Sequence, residues 1–307
     1  MTRIIDLLVN KLSFILTNAI SYVNILNSKF TNHIDILAVG KQNTNQISFL
    51  AIKNSFLKEI TMITQQILIG NIPSILWGND SSRLYLYVHG QGGNKEEASF
   101  LAEKICVRGW QVLSFDLPGH GERKAENGSF DPWHVSPELD SVMKYVKRHW
   151  KQHALYANSI GAWFSMLCFE HERFENCLFV SPVLDMKQLI LKMMSWANVT
   201  EEQLCREKII PTSFGQTLSW EYWQYAVKHP ILKWDSPTRI LHGEHDNMID
   251  YRVVENFSKR FHCTMTVMTH GEHWFHTEQQ MNFLGLWISN NFQNRKTSRL
   301  ERYNTPA

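Results

Sequence analysis

The chain has 307 residues, 31 basic against 29 acidic side chains for a net charge of +2, and 44% hydrophobic residues. That size favours one large core domain with extensions over two equal domains, and 20% charged residues with this apolar content excludes a globally disordered chain. A charge of +2 makes no electrostatic case for nucleic acid, and no apolar run reaches the roughly 18–20 uncharged residues that a spanning helix needs.

Residues 1–60 differ in texture from the rest, being rich in Asn, Ile, Leu and Lys. Ile4, Ile5, Leu8, Leu12, Ile15 and Leu16 fall near helical spacing, so the segment reads as an extension, helical or poorly ordered. Its polar face is not strongly basic, which weakens the case for contact with a membrane surface. Asn18 and Asn24 interrupt the apolar stretch and no small-x-small site follows, so it does not read as a signal peptide.

From residue 61 strands and helices alternate. TMITQQILIG and IPSILWG read as two strands joined by a turn near Asn71, and RLYLYVHG as a third strand. EEASFLAEKICVRG has helical spacing and ends at Gly109; WQVLSFDL is a strand that stops at Pro118. A helix is expected over PELDSVMKYVKRHW, a strand over HALYANS, a helix over IGAWFSMLCFEH and a strand over CLFVSP. Residues 183–235 break the rhythm with helical, Met- and Trp-rich sequence. TRILHG, YRVVENFSKRFH, CTMTVMTH and TEQQMNFLGLWISNNF complete the alternation, and residues 294–307 read as a polar tail. Strands alternating with helices imply an α/β fold with a mainly parallel sheet covered on both faces.

The five cysteines, Cys106, Cys168, Cys177, Cys205 and Cys263, are odd in number and contain no CxxC pair. They read as buried thiols rather than a disulfide framework or zinc knuckle, and the expected location is cytoplasmic.

The chemistry concentrates in LYANSIGAWF. Ser159 stands at a strand-to-helix junction with Ala157 and Gly161 two residues to either side. A sharp turn there lifts the hydroxyl out of the sheet and needs small flanking residues. The usual pattern is G-x-S-x-G; here alanine replaces the first glycine and is less free at positive φ. A serine hydroxyl also needs a base, and the base an orienting acid. Asp246 follows the TRILHG strand and His273 the next strand, so nucleophile, acid and base come in the order that such a sheet expects. Asp185, after CLFVSP, is the alternative acid. His270 and His276 flank His273 at three-residue spacing, but no carboxylate-rich set converges with them in sequence, so no metal is expected. His276 reads as a cap or a pocket wall. For the developing oxyanion, the backbone amides of Gln91, in HGQGGNK, and of Ile160, right after the nucleophile, are the candidate donors. Lys95 is not in a phosphate-loop frame.

HGQGG, SFDLPGHGER, ANSIG, LHGEHDN and GEHWFH together resemble the α/β-hydrolase superfamily over about residues 60–293, most closely its small esterase, acylglycerol-lipase and serine-aminopeptidase branch. The resemblance implies an eight-stranded, mostly parallel sheet over residues 61–293 with a short helical cap at 183–235, a serine nucleophile and no cofactor. It also implies that Asp116, Pro118, Gly119, His120 and Gly121 form a structural turn beside the pocket. Nucleophile identity separates the chain from the dehalogenase branch, which carries Asp where Ser159 stands.

Met193, Trp196, Trp220 and Trp223 are the candidate pocket residues of the insertion. With no Arg cluster there, the expected substrate is a small, largely uncharged ester or amide with an apolar acyl group. Transfer of the same acyl group to another acceptor, and ligand binding without catalysis, are the alternative readings.

Overall fold

A computed structural model describes residues 62–126 and 130–292. The readings of residues 1–60 and 294–307 therefore lie outside the described residues.

Strand β1 (Thr64–Ile69) turns back through Gly70 and Asn71 into β2 (Ile72–Trp77), with Ile69 opposite Ile72. Gly70 takes φ +63, which is why a glycine serves this two-residue turn. Six further strands complete the main sheet: β3 (Arg83–Val88), β4 (Gln111–Phe115), β5 (Gln152–Asn158), β6 (Cys177–Val180), β9 (Thr238–Gly243) and β10 (Thr264–Met268). The spatial order is β1-β2-β4-β3-β5-β6-β9-β10; β2 pairs antiparallel with β1 and β4, and every other pairing is parallel. This is the eight-stranded, mostly parallel sheet expected.

Both faces are covered. Along β3, Leu84, Leu86 and Val88 enter one core while Tyr85 and Tyr87 enter the other; on β5, Leu155 and Ala157 oppose Ala154 and Tyr156. Two-residue alternation with every member buried is what a sheet sandwiched between helix layers requires. The first core is closed by α2 (Pro132–His149), α3 (Ile160–Cys168) and α7 (Tyr251–Arg260), the second by α1 (Ser99–Ile105) and α8 (Glu278–Asn291).

Helix α2 begins five residues before the proline at which the sequence reading starts it. Asp131 is the N-cap, accepting from the His134 amide at 2.9 Å, and Pro132 fills the first turn, where a missing N–H costs nothing. Pro137 is carried inside the helix. The final helix is capped by Thr277 in a reciprocal capping box with Gln280, so His276 is the residue before the cap and not the cap itself.

The insertion between β6 and β9 contains α4 (Met186–Ala197), α5 (Glu201–Glu207) and α6 (Trp220–Lys228). It also holds a small antiparallel hairpin, β7 (Ile209–Pro211) with β8 (Thr217–Ser219), that the sequence reading does not anticipate. No helix among the described residues is long and apolar enough to cross a membrane, and all five cysteines are free.

Candidate active site

Ser159 lies between β5 and α3 with φ 50 and ψ −122, a conformation that an L-residue adopts only when its surroundings over-determine it. They do so here: its N–H donates to Val180 O at 3.0 Å, and its own carbonyl accepts from Val183 N at 3.0 Å and Ala162 N at 3.1 Å. Gly161 is needed because a Cβ there would fall 2.4 Å from His89 O and 2.7 Å from Val88 O, both backbone atoms of the neighbouring strand end. Ala157 is a buried residue of β5 whose φ is not positive. The alanine in the first glycine position therefore carries no conformational penalty.

The turn points Ser159 Oγ at His273 Nε2, 2.9 Å away. The other ring nitrogen, Nδ1, lies 2.8 Å from Asp246 Oδ2. A carboxylate only accepts, so Nδ1 carries the proton and Nε2 is left to accept from the serine hydroxyl. The Asp246 side chain is fully buried, and its Oδ1 accepts from the amides of Met248 and Ile249, both at 2.8 Å. Its negative charge is thus held by two backbone dipoles and one imidazole. Asp185, the alternative acid, is exposed and accepts from the Gln188 amide at 3.1 Å as the N-cap of α4. The carboxylate beside the imidazole is that of Asp246.

The loop after β3 carries the Gln91 amide, and the first turn of α3 carries the Ile160 amide. Among the described residues the Gln91 N–H has no backbone acceptor, and Ile160, as the first residue of its helix, has none by construction. Gly90 packs so closely that a Cβ there would come within 3.1 Å of Ser159 Cβ. The loop is set from beneath by His89, which is fully buried: its Nε2 accepts from Leu117 N at 3.0 Å and its Nδ1–H donates to Gly90 O at 2.7 Å. Burial pulls this imidazole down to about 4, so it serves as a neutral two-ended spacer.

A second support was not apparent from sequence. Lys95 and Asp116 are both buried and meet at 2.8 Å; Asp116 also accepts from the amides of Lys95 and Glu122. Burial works to raise the Asp116 carboxyl, but its hydrogen bonds from Lys95 and the amides outweigh it and hold it below the ordinary carboxylate range. Gly121, at φ +54, makes room, since a Cβ there would overlap the Asp116 carboxylate. The ion pair joins the HGQGGNK loop to the DLPGHGE turn. His120 closes that turn with Nδ1 at 2.9 Å from Pro118 O. The expectation of a structural role for this turn thus gains a specific partner, Lys95.

The insertion reaches the same loop: Gln91 Nε2 donates to Gln216 Oε1, next to the β7–β8 turn, at 2.9 Å. The four candidate pocket residues have separate surroundings. Trp223 is buried in the core; Met193 is partly buried against it; Trp196 is exposed, with Phe214 edge-on and Lys192 over its ring; Trp220 has Lys208 over its ring. None of the four lines the large groove of about 740 Å³ beside the insertion, whose walls include Leu184, Met186, Leu189, Met248, Ile249 and Phe257. Met248 and Ile249, whose amides bind Asp246 Oδ1, are among its walls, whereas Ser159, Asp246 and His273 are not. His276 sits 3.3 Å from Glu272 and stacks on Trp274, apart from any ligand set with His273.

The family model described as "Serine aminopeptidase, S33" matches residues 80–213. No curated protein matches the chain by sequence. Among solved structures, Est1E from Butyrivibrio proteoclasticus with ferulic acid bound is similar at 19% identity and TM-score 0.59, covering 74% of this chain and 96% of that one. A protein from Agrobacterium vitis S4 aligns at 14% identity and TM-score 0.60, covering 75% of this chain and 98% of that one. The mouse alpha/beta hydrolase domain-containing protein 10 aligns at 13% identity and TM-score 0.58, covering 75% and 97%. At these identities the likeness is one of fold. Strand order, the family match over residues 80–213 and the shared architecture agree on one fold, that of the α/β-hydrolases.

Proposed function

We propose that the protein is a serine hydrolase that cleaves a small, largely uncharged carboxylic ester, or an amide, through an acyl-enzyme on Ser159. The observation that carries this reading is the unbroken run from Ser159 Oγ to His273 Nε2 at 2.9 Å and from His273 Nδ1 to Asp246 Oδ2 at 2.8 Å. Ser159 Oγ attacks the carbonyl carbon while His273 Nε2 takes its proton. Asp246 keeps the ring in the tautomer that can do so and stabilises the imidazolium that forms. The amides of Gln91 and Ile160 receive the oxyanion, aided by the positive end of α3. His273 then passes its proton to the leaving oxygen or nitrogen. Water, activated by the same imidazole, attacks the acyl-enzyme, and the carboxylic acid departs as Ser159 recovers its proton.

Ester is favoured over amide because an alkoxide leaves with less help from the acid. Five free cysteines fit the reducing cytoplasm, which the proposal includes.

The test is turnover of a panel of p-nitrophenyl acetate, butyrate and octanoate with aminoacyl anilides, for the wild type and Ser159→Ala. The proposal expects ester hydrolysis that falls by about ten-thousandfold in the variant. A variant within tenfold of wild type would refute the nucleophile, and turnover only when an alcohol or thiol acceptor is added would convert hydrolysis to transfer.

A further inference from the structure

Glu244, His245 and His270 form a group outside the hydrogen-bonded run of Ser159, His273 and Asp246. Each offers one ligand atom, and the three atoms lie within 4.8 Å of one another. His270 Nδ1 is 3.7 Å and His245 Nε2 4.0 Å from Glu244 Oε2. Ligand bonds of about 2.1 Å in a tetrahedral zinc site place neighbouring ligand atoms about 3.4 Å apart. All three residues are exposed, so the remaining difference has to be closed by rotation of their side chains on binding.

The backbone beneath these side chains is already assembled. Glu244 and His245 follow β9, and His270 follows β10. The Glu244 N–H donates to Met268 O at 3.0 Å, the His245 N–H to Gly271 O at 2.7 Å, and the His270 N–H to Glu244 Oε2 at 2.9 Å. The loops touch so closely that a Cβ on Gly243 would fall 2.4 Å from Gly271 O. A ligand set on two laced loops loses little chain freedom on binding an ion.

We propose that Glu244, His245 and His270 form a site for a borderline divalent cation of the zinc class, with open positions for water. Two imidazole nitrogens and one carboxylate suit such an ion; Mg²⁺ and Ca²⁺ prefer all-oxygen sets. The ion would cross-link the loop that carries Asp246, next to His245, to the loop that carries His273, three residues past His270. Its place in the molecule is that of a clamp, since the ligands hold neither Ser159 nor the oxyanion amides. In sequence His270 stands out only beside His273 and His276; the set arises because β9 and β10 are parallel neighbours, which brings two loops 25 residues apart into register.

The experiment uses untagged, EDTA-treated full-length chain with ZnCl₂ and, separately, CoCl₂. Isothermal titration, the thermal midpoint and the visible absorption of the cobalt form are compared for wild type, His245→Gln and His270→Asn. Asparagine is chosen because residue 270 has φ +58. The expected result is one Zn²⁺ per chain with Kd about 10 μM or below, and a midpoint raised by at least about 2 °C at 100 μM Zn²⁺. A visible cobalt band should appear in wild type, and all three should be lost in both variants while their metal-free midpoints stay within 2 °C of wild type. Zn²⁺ binding retained in both variants would place the ion elsewhere, for instance on His273, and no binding below 1 mM would reduce the group to surface ion pairs; either result overturns the proposal. None of these readouts depends on hydrolysis, so the site and the proposed activity stand or fall separately.

Discussion

His242 Nδ1 lies 3.6 Å from Asp246 Oδ2, the same carboxylate oxygen that His273 Nδ1 meets at 2.8 Å. The His242 side chain is 2% exposed, and Nδ1 has no hydrogen-bond partner among the described residues. Burial pulls its imidazole below the ordinary range, against the pull of Asp246 in the other direction. A neutral ring therefore faces the acid, adding a dipole to the carboxylate without adding a competing charge. His242→Leu should lower kcat by about tenfold and leave KM within about twofold. Steady-state kinetics on a short p-nitrophenyl ester decide it; an unchanged kcat would reduce His242 to a filler of volume.

The two small residues flanking Ser159 should respond in opposite ways. Gly161→Ala forces a methyl against His89 O and Val88 O, which are backbone and cannot rotate away. The strand end or the serine turn must shift, so kcat/KM should drop by a hundredfold or more on the order of a 1 Å displacement. Ala157→Gly sits in an ordinary strand conformation and should cost only about 0.5–1 kcal/mol of stability with activity retained. Chemical denaturation and kinetics on both variants test the contrast; a fully active Gly161→Ala enzyme would contradict the close approach.

Stability should fall on mild acidification. The His89 imidazole is held down to about 4 by burial, against an ordinary value of 6.5. The unfolded chain takes up the proton first, so its stabilisation is complete above about pH 6.5 and is lost progressively as pH falls towards 4, amounting to about 3 kcal/mol. In His89→Gln, where an amide can still accept from Leu117 N and donate to Gly90 O, the slope of unfolding free energy against pH over this window should be shallower by up to about one proton. An undiminished slope would mean that His89 is not the group responsible.

Breaking the Lys95–Asp116 pair from one side strands a buried charge. Lys95→Met should cost about 3–5 kcal/mol of stability, because Asp116 keeps its desolvation while losing its cation. The loop bearing Gln91 should loosen as well, and urea denaturation with kinetics on the same samples reads both effects. A variant within 1 kcal/mol of wild type would show the pair to be dispensable.

Much of the architecture follows from local pattern. Buried alternation in RLYLYV and HALYAN marks parallel strands, and the helices that follow β3, β4, β5, β9 and β10 show their spacing in the sequence. The helix α2 boundary escaped because two prolines, Pro132 and Pro137, both look like starts, and only the Asp131 cap distinguishes them. The β7–β8 hairpin escaped because its three-residue strands lie in a Met- and Trp-rich stretch that reads as helix. Ser159, Asp246 and His273 are readable because topology orders them along the chain. His242 beside Asp246, Lys95 with Asp116, and Glu244 with His270 are not, since each depends on which loops the sheet places side by side. The aromatic residues of the insertion could not be sorted into pocket or core from type alone: Trp223 is core, while Trp196 is exposed.

The most direct measurement is the mass of the chain after reaction with a fluorophosphonate, followed by peptide mapping. A single covalent adduct on the peptide that contains Ser159, abolished in Ser159→Ala and greatly slowed in His273→Ala, is the predicted result. An unlabelled wild-type chain, or an adduct that persists unchanged when Ser159 is replaced, would contradict the assignment of this serine as an activated nucleophile.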